Sequence, residues 1–400
     1  MSRLTLPLRR LFKIVNGGTP TAAEENWGGS VPWATPVDLA KGVVGLSETQ
    51  RTLTMLGASS GSSMVPEGSI LLSTRAPIGY TAITEVPMAF NQGCRALVAL
   101  GPGDARFFRY QPEARGDELQ AAGVGATFVE LSSGALAGFE VDCPDVAEQR
   151  RVSDFLDAEV ARIEKISSGY LRMQSLLSER VQSLVDGLMD SDGDVPLRYA
   201  VRFREGPGIM AEDFRDEGVP LIRISGLRQG AVTLQGCNYL DEEKVLSKWG
   251  QFRLKLGDYI ISGSASIGNV SVVLDDSVQG AVPYTGLIVL RPATAGVSMK
   301  YVAAVLASSR FARQIDVLKT GSTMQHFGPT HLSQVRIPLP LLGKQNLIAS
   351  EVEAVQRQKV RSEELVGRQV ALLRERKRAL ITAAVTGQID VTTARGADVS

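Results

Sequence analysis

The sequence predicts an α+β chain built as an internal pseudo-two-fold repeat, with two globular domains separated by two long antiparallel coiled-coil helices. Three observations carry this reading. Short motifs recur at an almost constant spacing along the 400 residues, each copy opens with strand-like segments, and each copy closes on a long helical periodicity.

The repeat register starts at PLRRLFKIVNG, whose Pro7 falls on Pro196 of PLRYAVRFREG at an offset of 189. Val31-Pro32 and Val219-Pro220 keep an offset of 188. PEGSILLSTRAPIG then matches KLGDYIISGSASIG, with Gly68 on Gly257 and Gly79 on Gly268, again at 189. From Gly125 on Gly321 the offset is 196, so the second copy gains seven residues between Gly79 and Gly125. Pro144 and Gln149 pair with Pro340 and Gln345, and the alignment runs without a gap to Met189 on Val385.

Segments such as SILLSTRA and DYIISGSA are β-branched or alternating and are bounded by Gly, Pro, Asn and Asp, the pattern of strands with turns. SMKYVAAVLASSRFARQI supplies at least one helix between Tyr301 and Ile315. The β-rich part of each copy spans about 135 to 145 residues, a normal size for one domain.

After Pro144 the periodicity changes. Leu156, Val160, Ile163, Ile166, Tyr170, Met173, Leu177, Val181, Leu184 and Leu188 recur at steps of three and four, a coiled-coil seam. The stretch Gln149 to Met189 holds 41 residues, which at ~1.5 Å rise per residue makes a rod of about 60 Å. Ser167-Ser168-Gly169 is its weak point, where a kink is expected if anywhere. The second rod places Ile348, Val352, Val355, Val366, Val370, Leu373 and Leu380 on one side, around a polar middle, QRQKVRSEE. The expected divisions are a first globular domain over 1–144, a helical spacer over 145–190, a second globular domain over 191–340, a second spacer over 341–390 and a tail over 391–400. An internal two-fold axis makes the rods antiparallel and the whole a ruler between two globular ends.

With 44% hydrophobic residues the chain can bury two cores. Arg9, Arg10 and Lys13 interrupt the opening MSRLTLPLRRLFK, and no uncharged apolar run reaches about 18 residues. Neither a signal peptide nor a membrane span is therefore expected, and the chain reads as cytoplasmic. Cys94, Cys143 and Cys237 are odd in number and far apart, unlike a zinc site or a disulfide framework, and are expected as buried thiols.

Particular strings narrow the reading. The first copy carries NGGTP at Asn16 to Pro20, VPWATPVDLAKG at Val31 to Gly42, ILLSTRAPIG at Ile70 to Gly79 and AFNQGCRAL at Ala89 to Leu97. The second carries VPLIRISGL at Val219 to Leu227, GDYIISGSASIGNV at Gly257 to Val270, GSTMQHFGPTHLSQVRIPLPLLGKQ at Gly321 to Gln345, and the ending ALITAAVTGQIDV. Together they resemble the specificity subunit of Type I restriction-modification systems, over almost the whole chain and in the same order of domain, rod, domain, rod. The resemblance implies two target-recognition domains, each reading one half of a split DNA sequence, and rods that set the spacer and dock modification subunits. It implies double-stranded DNA, two modification subunits and restriction subunits as partners. It implies no cofactor in this chain, S-adenosylmethionine being bound by the partner methyltransferase subunit. Two departures are visible: the second copy has VPYTG at Val282 to Gly286 in place of the NQG triplet, and the first has CPDVAEQ where a second proline would follow Pro144.

A DNA reader needs cations that position phosphates and side chains that meet base edges. Matching segments offer Thr19, Arg75, Tyr80, Asn91, Gln92 and Thr127 in the first copy. The second offers Arg223, Ser225, Arg228, Ser264, Asn269, Tyr284, Thr323, Gln325 and His326. Arg75 can bond guanine or phosphate, and Asn91 or Gln92 can take adenine at two points. The 43 Lys and Arg against 43 Asp and Glu give no net charge, unlike stand-alone DNA binders. Partner subunits must then supply most phosphate contacts. Arg374, Arg376, Lys377 and Arg378 form a local basic cluster on the second rod, as a solvated face, one salt-bridged with Glu375, or a phosphate or subunit contact.

The chain reads as non-catalytic. It has neither a methyltransferase cofactor loop with an Asn-Pro-Pro-aromatic motif nor a phosphate-cradling GxxxxGK[ST]. The alternative is a metal-dependent nuclease, for which Asp241-Glu242-Glu243-Lys244 is the one string to consider, or the recognition subunit of a related system combining restriction and methylation in one partner. A tetrad of that kind more often starts a helix or covers a surface turn. His326 and His331 in HFGPTH have no Cys or acidic neighbours to complete a metal site, so His326 reads as a polar loop contact and His331 as a capping or packing residue.

Overall fold

Strand pairing reproduces the repeat register in a computed structural model that describes residues 4–40, 44–75, 77–123, 130–189, 194–228, 230–263, 270–318 and 326–393. Two compact units result, residues 1–170 with 367–400 and residues 171–366.

In the first unit a five-stranded sheet runs in the order Phe12–Asn16, Cys94–Ala99, Ile70–Ser73, Thr81–Thr84, Gly45–Leu46. A four-stranded sheet follows the order Arg51–Leu53, Trp27–Ala34, Met88–Phe90, Ser63–Val65. Strand Ile70–Ser73 is apolar almost throughout because both of its faces are covered. Ile70 and Leu72 point to a core with Phe107, Phe108 and Leu156, while Leu71 joins Phe90, Ala96 and Ala34 in a second core. The second unit repeats this with a six-stranded sheet that includes Val201–Glu205, Leu287–Pro292 and Tyr259–Ser262, and a four-stranded sheet centred on Asn238–Leu240 and Val219–Ile222. Ile261 and Ile260 likewise face opposite cores. The helical segment expected near Tyr301 is two helices, Met299–Leu306 and Ser309–Leu318.

Pairing also resolves where the second copy gains length. Thr81 pairs as Val270 does, at an offset of 189, and Cys94 as Leu287 does, at 193. Asp104 and Ser298, whose backbone N–H groups meet equivalent glutamines, stand at 194, and Leu131 and Phe327 at 196. The gain is therefore spread over three intervals, Thr81 to Cys94, Cys94 to Asp104 and Asp104 to Leu131, and it leaves the strand pairing on either side intact.

The long helices are Val146–Leu188 and Leu342–Val385. Each contributes one part to each unit. In the first unit they run antiparallel: Leu156 and Val160 share a core with Ile381, Ala384 and Val385, and Lys377 pairs with Glu164 at 2.9 Å. In the second, Val181 and Val185 share a core with Ile348 and Val352. Helical hydrogen bonding runs through Ser167-Ser168-Gly169 without a break, and Ser168 turns its hydroxyl back onto Lys165 O at 3.0 Å.

The first seam is less complete than its periodicity suggests. Leu156, Val160, Ile163 and Val181 are buried, but Ile166, Met173 and Leu184 are 43%, 52% and 47% exposed. Every seam position of the second rod is buried or half-buried despite its polar middle. Periodicity reports which residues share a face, not whether that face is covered. Met173→Ala should accordingly change stability by no more than about 0.5 kcal/mol, whereas Leu156→Ala should cost about 3 kcal/mol. Thermal denaturation of the two variants checks this, and equal losses would contradict the exposure of Met173.

The ungapped alignment of Gln149 on Gln345 has a physical cause. Gln149 is buried, donates Nε2 to Pro144 O at 2.8 Å and accepts from Asp104 N–H at 2.9 Å. Gln345 donates to Pro340 O at 2.7 Å and Gly296 O at 3.0 Å and accepts from Ser298 N–H at 2.9 Å. Each amide ties the start of a long helix to the chain ahead of it and to the start of a shorter helix. Of the three cysteines only Cys94 is buried; Cys143 and Cys237 are half-buried, which corrects the expectation for those two. Burial pushes the Cys94 thiol up to about 12, with the Asp38 carboxylate adding to the shift.

Candidate nucleic-acid interface

Both units present the same turn with different side chains. In the first, Asn91 N–H donates to Ala34 O at 2.9 Å, Cys94 N–H to Asn91 O at 3.1 Å, and Thr74 N–H to Gly93 O at 2.9 Å. In the second, Tyr284 N–H donates to Ile222 O at 2.9 Å, Leu287 N–H to Tyr284 O at 3.1 Å, and Gly263 N–H to Gly286 O at 2.8 Å. Asn91-Gln92-Gly93 and Tyr284-Thr285-Gly286 are therefore equivalent. The missing NQG triplet is a substitution on a preserved backbone rather than a loss of the turn. Gly17 and Gly206, also equivalent, let the neighbouring chain approach this turn: a Cβ on either would meet the carbonyl oxygen of Asn91 or Pro283 at 2.0 and 2.2 Å.

Around the first turn, the Thr19 hydroxyl donates to Gln92 Oε1, and both residues are exposed. The Asn91 side-chain oxygen accepts from Gly93 N–H at 3.0 Å, so Asn91 shapes the turn, and a two-point contact with adenine would have to share that oxygen. Arg75 is not open either. Its Nε donates to Glu130 at 3.2 Å, and Arg95 reaches the other oxygen of Glu130 at 3.3 Å while donating to Ser133 at 3.0 Å. Arg75 is half-exposed, so this ion pair stabilises the fold by no more than about 1 kcal/mol, yet it offsets the charge Arg75 would bring to a phosphate. Tyr80 is exposed, with its backbone bonded to Ser73. Thr127 lies outside the described residues.

The second turn borders a cleft of about 550 Å³ lined by Arg223, Ile224, Ser225, Gly236, Tyr284 and Thr285. Three sequence candidates, Arg223, Ser225 and Tyr284, thus share one site. Ser225 donates to Gln235 O at 3.2 Å, and Arg228, which is exposed, donates to Ser225 O at 3.0 Å. His326 is exposed at the position equivalent to Glu130 and is not among the residues lining the cleft. Ser264, Asn269, Thr323 and Gln325 lie outside the described residues.

The charged tetrad starts a helix. Asp241 accepts from Lys244 N–H at 2.8 Å as its cap, Glu242 pairs with Arg253, and the Lys244 ammonium pairs with Asp213, holding that carboxyl below the usual carboxylate range. Among the described residues no cluster of three His, Cys, Asp or Glu can hold a metal ion. His331 is a capping residue, its Nδ1 accepting from Gly328 N–H at 3.0 Å. In the basic cluster of the second long helix, Lys377 lies 2.9 Å from Glu164 and 3.8 Å from Glu113, and Arg378 lies 2.6 Å from Asp117. These two cations are salt-bridged, with partners other than Glu375.

Sequence reasoning did not single out Arg51, Trp27, Trp33 or Asn238, all of which adjoin these sites. The two indole N–H groups donate to Gly18 O at 3.1 Å and Thr21 O at 2.9 Å, on either side of Thr19. Arg51 lies over Trp27, and Asn238 accepts from Arg223. The one available signal was an arginine on a strand close to a tryptophan-containing strand, which has meaning only once the strands are paired.

The Type I restriction modification DNA specificity domain matches residues 5–168 and 201–368. The chain is 32% identical over 157 residues to the Type I restriction enzyme MjaIX specificity subunit of Methanocaldococcus jannaschii, covering 37% of this chain and 36% of that protein. It is 27% identical over 173 residues to the EcoR124I/EcoR124II specificity subunit of Escherichia coli, covering 41% and 43%. The matched stretches thus span less than half the length of either relative. The fold is similar to that of a chain from a type I R-M system solved for complex assembly and conformational transition, with TM-score 0.74, 14% identity, and 97% and 98% of the two chains covered. It is also similar to the HsdS subunit from Thermoanaerobacter tengcongensis, with TM-score 0.51, 15% identity and 97% of each chain covered.

Proposed function

Because the chain belongs to the Type I restriction modification DNA specificity family and carries that domain twice, we propose that it is the DNA sequence-recognition subunit of such a complex and has no catalytic activity of its own. The observation that carries this is the pair of equivalent turns, alike in backbone and different in side chains, which suits two readers of different DNA words. The recognition domains are 1–144 and 191–340, and the helical spacers 145–190 and 341–390 set the target spacer and dock two modification subunits. Those subunits bind S-adenosylmethionine, and restriction subunits join the complex. The absence of net charge fits a reader whose partners hold most phosphates. Thr19 and Gln92 in the first domain and Arg223, Ser225 and Tyr284 in the second are its base-edge candidates, with Arg75, Arg228 and His326 at the borders. The tetrad gives no support to a nuclease, since Lys244 and Glu242 are engaged in structural ion pairs.

Methylome sequencing of a host that expresses the chain with its modification subunit tests the proposal. The expected result is adenine methylation in a split, asymmetric motif, with none from the chain alone. A continuous motif, or methylation or cleavage by the purified chain, would overturn it.

A further inference from the structure

Each unit holds one arginine over an edge-to-face aromatic pair. Arg51 Cζ lies 3.5 Å from the Trp27 ring centre and 5.5 Å from that of Trp33, and the two indoles meet at 5.0 Å. Arg223 Cζ lies 4.4 Å from the Tyr284 ring centre and 5.8 Å from that of Phe214, and these rings meet at 6.5 Å. The two arginines come from different sequence positions. Strand register places Arg51 opposite Trp33, and the residue in that place of the second unit, opposite Leu221, is Asn238, which accepts from Arg223 Nη1 at 2.9 Å.

The supports are themselves fixed. Trp33 is buried, both indole N–H groups bond the segment that carries Thr19, and the Asp38 carboxylate accepts from Gln50 N–H at 3.0 Å, one residue ahead of Arg51. Tyr284 belongs to the turn described above. A guanidinium stacked on a ring uses its π face and keeps its N–H groups in plane, directed past the ring edge. Among the described residues no carboxylate lies within ion-pair distance of Arg51 or Arg223, whereas Arg75 and Arg95 share Glu130. Stacking also removes rotamer freedom before binding, which lowers the ordering cost of a two-point contact. The partner that uses two parallel in-plane donors with sequence information is the O6/N7 edge of guanine.

We propose that Arg51 and Arg223 are the guanine-reading residues of the two units, each setting one G·C position in its own half of the target. This rests on the recognition function proposed above. The test compares wild type, Arg51→Ala, Arg51→Lys and Arg223→Ala, each coexpressed with the modification subunit, by methylome sequencing. Anisotropy binding of the complex to duplexes with single base substitutions reads the same difference where methylation is too weak to map. Arg51→Ala and Arg51→Lys should both lower discrimination at one guanine of one half-site by about tenfold or more and leave the other half-site unchanged. Arg223→Ala should do the same in the opposite half. Lysine restoring wild-type discrimination, with alanine weakening all sequences alike and lowering the salt slope by about one, would make Arg51 a phosphate contact and overturn the proposal. An unchanged half-site would overturn it as well. A wild-type chain without a split motif would sink the recognition function itself, a result distinct from either.

Discussion

Gly17→Ala should abolish reading of one half-site and lower the stability of the first unit by about 3 kcal/mol, a shift of roughly 6–12 °C in its unfolding temperature. The added methyl would stand 2.0 Å from Asn91 O and 2.7 Å from Phe90 Cδ2. Asn91 cannot retreat without cost, since its N–H bonds Ala34 O and its carbonyl accepts from Cys94 N–H. Gly206→Ala should do the same to the second unit, where the methyl would stand 2.2 Å from Pro283 O and 2.4 Å from Tyr284 O. Gly169→Ala is the control: it lies within the first long helix with nothing within 4 Å of its added carbon, and it should stabilise by about 0.5–1 kcal/mol. Calorimetry with half-site mapping reads both effects. Wild-type stability and both half-sites intact in Gly17→Ala would refute the close approach.

Gln149→Ala and Gln345→Ala should each cost about 2–4 kcal/mol, confined to the unit that holds the residue. Both side chains are almost fully buried, and truncation strands their partners: Pro144 O and Asp104 N–H in one unit, Pro340 O, Gly296 O and Ser298 N–H in the other. A buried polar group left without a partner costs about 1–3 kcal/mol. Gln149→Glu should fare no better, because it sets a carboxylate oxygen against the carbonyl of Pro144. Two resolved calorimetric transitions, of which each variant lowers one, are the expected result. A loss below about 1 kcal/mol in both would mean that water replaces these bonds and that the pairing of the two glutamines has no structural role.

The repeat, its register and the existence of two long helices were legible because each is a one-dimensional pattern: matched spacing, period-two apolar segments, steps of three and four. The turn at Asn91 and the place of its counterpart at Val282 to Gly286 were legible, but not that the two share one backbone, since Tyr284-Thr285-Gly286 has only a glycine in common with Asn91-Gln92-Gly93 and the equivalence lies in backbone bonds. That Arg223, Ser225 and Tyr284 line one cleft was not legible, because they were chosen for their places in the repeat and their proximity comes from strand pairing. The engagement of Arg75 did not follow, because Glu130 stands 55 residues away in sequence. The exposure of Ile166, Met173 and Leu184 escaped for the same kind of reason: a seam is defined by what covers it.

The sequence by itself determined that the chain has two copies of one plan, each an α+β domain followed by a long helix, because local propensity and periodicity act within short stretches and survive without partners. Only the tertiary structure decided which polar groups are engaged and which are open. Glu130 takes up Arg75 and Arg95, Gly93 N–H donates to the side-chain oxygen of Asn91, and the aromatic pairs at Trp27–Trp33 and Phe214–Tyr284 hold Arg51 and Arg223 with donors to spare. Charge pairing and ring stacking depend on distances between residues remote in the chain, and those distances are set by strand register, which no single segment contains.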